Sequence, residues 1–252
     1  MEFELWQGGL LVTVGILAGF LNVMAGGGSL ITVPVLLFMG LPGPAANGTN
    51  RIAILAQNIT AIATFARRGF RDFKLSLSLA ACAVPGAAAG ALLGTQLDGV
   101  WFNRILALIM LGVMLVMHFD KGATEQSKDH QPTGRQMLNG HLLMVVVGFW
   151  GGFIQIGVGF IIMPVLNRVM GLDLVRTNMH KVFIVAVYTI VALAIYASQV
   201  EIMWAVGLAL ALGNSIGGYL GAHFSVSKGE NLIRLILNLV LVAFIFKLLF
   251  NF

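Results

Sequence analysis

Two glycine-broken polar stretches in an otherwise apolar chain hold the residues best suited to binding a ligand. The first reads Gly19-Phe20-Leu21-Asn22-Val23-Met24-Ala25-Gly26-Gly27-Gly28-Ser29 and runs on to Pro34. The second reads Gly152-Phe153-Ile154-Gln155-Ile156-Gly157-Val158-Gly159-Phe160 and runs on to Pro164, 130 residues after Pro34. A glycine-rich interruption ends one helix and starts another, whose first N–H groups lack an intrahelical partner and form the positive end of its dipole. Such an end binds an anion without a charged side chain. Gly26, Gly27, Gly28, Gly157 and Gly159 permit close backbone approach, and Ser29 is placed to cap the helix that follows. Asn22 and Gln155 add side-chain amides at the same depth. The alternative reading of these glycines is helix packing, although three in a row beside a serine exceed what packing needs.

A second pair of clusters supplies the positive charge. Ala46-Asn47-Gly48-Thr49-Asn50-Arg51 and Arg176-Thr177-Asn178-Met179-His180-Lys181 occupy equivalent places, with Arg51 and Lys181 again 130 apart. The candidate substrate contacts here are Asn47, Thr49, Asn50, Arg51, Asn178, His180 and Lys181. The alternative for the two cations is snorkelling to the membrane interface, and for His180 an interfacial role rather than a proton shuttle. Gln57 and Asn58, about two turns past Arg51, and Tyr188, about two turns past Lys181, extend a polar path along these helices.

The absences also discriminate. None of the ten acids lies inside an apolar segment, whereas cation carriers usually bury a carboxylate. An anion is therefore the expected cargo. The lone Cys82 provides neither a disulfide nor a thiolate metal site. No acid, His or Cys cluster sits at membrane depth, so no catalytic residue, metal or cofactor is expected, and the chain is not read as an enzyme.

The elements that must position these residues are membrane helices. Of 252 residues, 58% are hydrophobic and only 10% charged, with a mean hydropathy of +0.92; soluble domains carry about 25% charge. The net charge of +5 reflects cytoplasmic loops rather than a nucleic-acid partner. The acidic N-terminus, Met1-Glu2-Phe3-Glu4, lacks the basic start of a signal peptide. Ten apolar segments are predicted, at 9–24, 29–39, 52–66, 75–93, 102–117, 138–149, 153–170, 182–197, 202–222 and 232–250. The second is too short for an uninterrupted span of about 20 residues.

The chain reads as two repeats, about 1–118 and 137–252, joined by a cytoplasmic linker at about 119–136 within a single transporter domain. Arg104 and Arg234 match across the halves, as do the ladders Gly86/Gly90/Gly94 and Gly213/Gly217/Gly221. With all ten segments crossing and both termini outside, 12 of the 15 Lys and Arg fall inside and 3 outside, as the positive-inside rule requires. Five spans per half then put the halves in opposite orientations, with the second helix of each broken. Inverted repeats with matched breaks are the mark of secondary transporters.

The stretch Gly19-Phe20…Gly26-Gly27-Gly28…Pro34, followed by Gly40 and Ala46-x-Gly48-Thr49-Asn50-Arg51, resembles the TauE/SafE group of sulfite and organosulfonate exporters. Gly152-Phe153…Gly157-x-Gly159…Pro164, then Arg176-x-Asn178-x-x-Lys181, fits that group's second repeat. The resemblance covers essentially the whole chain. It implies export, or sometimes uptake, of small sulfur-containing anions such as sulfite, sulfoacetate or thiosulfate. The second copy departs in lacking a full glycine triplet. The expectation is an all-α, multi-pass inner-membrane carrier working by alternating access, with a small anion and the bilayer as partners and a homodimer compatible with the sequence. A passive anion channel, or a carrier of another small anion, is the alternative.

Overall fold

The structure is a computed structural model that describes residues 5–119 and 131–225. The tenth predicted segment and most of the linker lie outside the described residues. All regular structure among the described residues is helical: α1 (Leu5–Ala25), α2 (Ser29–Phe38), α3 (Gly43–Arg67), α4 (Phe73–Gly94), α5 (Gly99–Phe119), α6 (Gly134–Phe153), α7 (Gly159–Pro164) with a π-helical turn (Val165–Val169), α8 (Leu174–Gln199) and α9 (Trp204–Ser225). Nine of the ten predicted apolar segments thus have helical counterparts. Four of them, α1, α4, α8 and α9, are long and apolar enough to cross a membrane on length and composition alone.

The acids absent from the apolar segments reappear at helix starts. Asp72 accepts from Leu75 N at the head of α4, Asp98 from Trp101 N at α5, and Asp173 from Val175 N and Arg176 N at α8. A carboxylate there satisfies unpaired donors and meets the positive dipole end. Thr133 and Gln136 close a reciprocal capping box on α6.

The interruptions fall between the first and second helices of each half, rather than within the second helix as expected. Gly26, at φ +80°, ends α1, and its N–H bonds back to Asn22 O at 2.8 Å. Gly28 then packs against Ala18 and Asn22, so the chain doubles back and α2 runs beside α1. With ten residues, α2 is about 15 Å long, half the hydrocarbon thickness of about 30 Å. The second break spans Ile154–Val158, with Gln155 at φ +61° and Gly157 at φ +71°. Past Pro164, which has no N–H to continue the ladder, the backbone widens into the π-helical turn.

The halves interlock through their glycines. A Cβ added at Gly86, Gly90 or Gly94 of α4 would overlap the carbonyls of Val145, Phe149 and Phe153 on α6. Likewise Gly213 and Gly217 of α9 lie against the carbonyls of Val12 and Ile16 on α1, and Gly221 lies against Phe20 O. Small residues let helix backbones approach this closely. In both pairs the residue numbers rise together, so α1 is parallel to α9 and α4 to α6. α3 runs with α9, since Thr49 meets Met203 and Arg68 meets His223. α8 runs against α3, with Asn47 at Tyr196 at one end and Phe65 near Met179 at the other, and runs with α4, where Ser76 meets His180. Helices α1, α3 and α9 therefore point one way and α4, α6 and α8 the other.

Gly90→Ala and Gly217→Ala each drive a methyl into a neighbouring backbone. We expect overpacking to cost about 1–3 kcal/mol each, read as a lowered unfolding midpoint in detergent. Gly9→Ala, which meets nothing within 4 Å, should leave the midpoint unchanged.

Candidate functional site

The two breaks meet. Gly26 and Gly159 lie backbone to backbone, so that a Cβ on either would overlap the other. Around this contact is a small cavity lined by Asn22, Gly26 and Ser29 from the first half and Gln155, Val158 and Gly159 from the second. Ile54 and Asn58 of α3 and Lys181 and Val185 of α8 complete it. Its volume of about 10 Å³ suffices for one water at most. Seven residues singled out from the sequence, Asn22, Gly26, Ser29, Asn58, Gln155, Gly159 and Lys181, line it together. No carboxylate lines it among the described residues.

Its donors and acceptors are held by buried amide contacts. Asn22 Nδ2 and Asn214 Nδ2 both donate to Gln57 Oε1, at 3.2 and 3.3 Å. Gln57 Nε2 lies 3.4 Å from Asn58 Oδ1. Asn58 Nδ2 is buried with no hydrogen-bond partner in the structure, as is Gln155 Oε1; both residues line the cavity. Gln155 is also the only non-glycine with positive φ among the described residues, a conformation costing on the order of 1–3 kcal/mol. Its Nε2 donates to Thr189 at 3.3 Å. Ser29 is the first residue of α2, not its cap: Gly28 is the N-cap, with no side-chain bond. Ser29 Oγ instead accepts from Asn50 at 3.4 Å.

The remaining candidates serve the broken helix ends. The last carbonyls of α6 have no intrahelical donor. Arg51 Nη1 donates to Gly151 O at 3.0 Å and Nη2 to Gly152 O at 2.5 Å. Asn47 Nδ2 and Tyr196 Oη bond Phe153 O at 3.0 and 2.6 Å. The Arg51 guanidinium also lies 4.5 Å over the Tyr196 ring. Lys181 does the matching work on α1, its Nζ donating to Val23 O at 2.7 Å, Asn22 O at 3.2 Å and Asn178 Oδ1 at 2.8 Å. Each cation, from the third helix of one half, thus holds the first helix of the other.

The others sit farther out. Thr49 Oγ1 accepts from Met203 N just before α9, and Asn178 Nδ2 reaches Ser225 at 2.7 Å. Gly27 accepts from Leu30 N within the break. Gly157 faces Val113 and Ile109 of α5, away from the cavity. His180 turns to α4, 2.8 Å from Ser76 Oγ and 3.9 Å from Asp72. Asn214, Thr189 and Tyr196 escaped the sequence reading. A polar residue inside an apolar segment was the available signal for each; only the fold puts Thr189 and Tyr196 at the second break and Asn214 on Gln57.

With this geometry in place, comparison identifies the lineage. The family profile described as Sulfite exporter TauE/SafE matches residues 11–248, and the chain belongs to that family. It is similar to a probable membrane transporter protein, ORF9, of Sinorhizobium, at 28% identity over 95% of this chain and 91% of the relative. A probable membrane transporter protein of Haemophilus influenzae is 28% identical over 89% of this chain and 88% of the relative. YunE of Bacillus subtilis, named in the same words, is 25% identical over 92% and 94%. No solved structure gives a significant match. The chain is a multi-pass membrane transport protein, in contact with the bilayer and a small substrate.

Arg51→Met strips the donors from Gly151 and Gly152. We expect a cost of about 1–3 kcal/mol per orphaned carbonyl, seen as a lower unfolding midpoint in detergent. Lys74→Met, at an exposed position, should leave the midpoint near wild type.

Proposed function

We propose that this TauE/SafE protein is a secondary transporter of small sulfur-containing anions of the sulfite, organosulfonate or thiosulfate class. Its substrate site is the cavity between the two breaks. One observation carries the reading: Asn58 Nδ2, buried and without a partner, lines a cavity that Lys181 also lines and no carboxylate does. Donors and a cation gathered at membrane depth suit an oxyanion, and the family's sulfite-exporter description agrees with it.

Alternating access is the mechanism we infer. The opposed directions of α1 and α3 against α6 and α8 support two inverted repeats, and such repeats rock about a shared central site. A volume that admits at most one water matches an occluded or empty state, so the breaks must part to take cargo. The basic loops favour a cytoplasmic linker, periplasmic termini and an inner-membrane location. A homodimer is part of the proposal only as an assembly state to be measured.

The test is labelled sulfite flux into proteoliposomes. Saturable flux with trans-stimulation, cut at least tenfold by Asn58→Leu and by Ser29→Leu in folded protein, is the expected result. Flux without trans-stimulation would make the protein a channel. Undiminished flux in both variants would remove the site from this cavity.

A further inference from the structure

We propose that the anion has a second subsite at the end of α6, built on Tyr188 Oη and Arg51 Nε, which takes it over when the carrier faces the other way. This rests on the inverted-repeat transporter proposed above and extends it.

The cavity is lopsided with respect to the repeats. The breaks line it in matched pairs, Ser29 with Gly159 at the 130-residue offset and Asn22 with Gln155 where the Gly-Phe pairs align. The third helices do not. Lys181 lines it and its counterpart Arg51 does not; Asn58 lines it and the residue 130 further on, Tyr188, does not. The lined side is the end of α1, where Lys181 Nζ holds Asn22 O and Val23 O.

The two missing counterparts collect at one residue near the end of α6. Arg51 Nη1 donates to Gly151 O, and the Tyr188 ring lies against the same glycine, its Oη 2.6 Å from where a Cβ would stand. Both side chains are fully buried. The terminal nitrogens of Arg51 are spent on the helix end, but Arg51 Nε and Tyr188 Oη have no hydrogen-bond partner in the structure. Buried polar atoms are nearly always bonded, and a guanidinium N–H beside a phenol O–H is a donor pair that suits an oxyanion. Asn58 Nδ2 is the matching unpartnered donor beside the cavity. Equivalent positions of the two repeats thus each keep a buried polar atom in reserve.

Two repeats of one design in opposite orientations can trade arrangements, which turns an inward-facing carrier into an outward-facing one. In the traded arrangement Arg51 and Tyr188 stand where Lys181 and Asn58 stand now, and the anion passes from one set of donors to the other. Lys181 lies seven residues into α8 and Arg51 eight into α3. With the linker cytoplasmic, α8 enters from the cytoplasm and α3 from the opposite face. The Asn58 set therefore serves the cytoplasmic face and the Tyr188 set the periplasmic one.

The experiment measures half-saturation of labelled sulfite flux separately from each face of oriented proteoliposomes, for wild type, Tyr188→Phe and Asn58→Leu. Tyr188→Phe keeps the ring and removes only an unpartnered hydroxyl, so its unfolding midpoint in detergent should match wild type. We expect it to raise half-saturation about tenfold from the periplasmic face, the size of a lost hydrogen bond to a charged group, and to leave the cytoplasmic value unchanged. Asn58→Leu should do the reverse. Equal shifts from both faces, or none with Tyr188→Phe from either, would overturn the second subsite, while saturable flux with trans-stimulation kept the transporter reading. No sulfite flux by folded wild type would overturn both.

Discussion

Helix ends inside a membrane impose the constraint on which this structure depends. Ending α1 and α6 inside the protein leaves buried carbonyls without a helical partner, and each must find a donor within the protein. Arg51, Asn47 and Tyr196 meet that need for α6, and Lys181 meets it for α1. Because Arg51, Asn47 and Lys181 each come from the opposite half, the same bonds that satisfy the breaks also tie the halves together. The fold can carry this interruption at its centre only because these long side chains reach across it.

The close approach they need comes from the glycine ladders. Gly86, Gly90 and Gly94 bring α4 onto the backbone of α6, and Gly213, Gly217 and Gly221 bring α9 onto α1. Lipid tails are as apolar as leucine, so burial alone does not draw helices together in a membrane; backbone contact and interhelical hydrogen bonds do. Those seams set the height at which Gly26 meets Gly159. A side chain at either glycine would separate the breaks and remove the cavity between them.

Chemistry and packing are divided among residues of similar type. Gln57 is a hub between Asn22, Asn214 and Asn58, whereas Gln155, held at positive φ, leaves its carbonyl oxygen unpartnered beside the cavity. Arg51 and Lys181 divide in the same way, one spent on a helix end and one shared between a helix end and the cavity. The non-glycine residue at positive φ, Gln155, lies in the second break, which lacks the glycine triplet. There Trp150 Nε1 holds Ile156 O at 2.9 Å, a tether that the looser sequence of this break requires.

Much of this was legible from residue order. Apolar runs set the helices, because a helix is the open-ended way to satisfy a backbone in lipid, and Gly26-Gly27-Gly28 marked a break that no continuous helix would carry. The absence of acids from those runs pointed to an anion, and the structure puts Asp72, Asp98 and Asp173 to work as helix caps. What residue order could not assign was the partner of each polar side chain. Arg51 and Lys181 look alike at matched positions, and only the tertiary arrangement directs one to the carbonyls ending α6 and the Tyr196 ring and lets the other line the cavity. Gly157 reads as part of the site yet faces α5, since its rotation about the chain depends on the turn at Gln155. Helix formation and membrane class follow from local composition; which side chain faces ligand and which faces backbone follows from contacts more than a hundred residues apart in sequence, and those exist only once the halves have closed on each other.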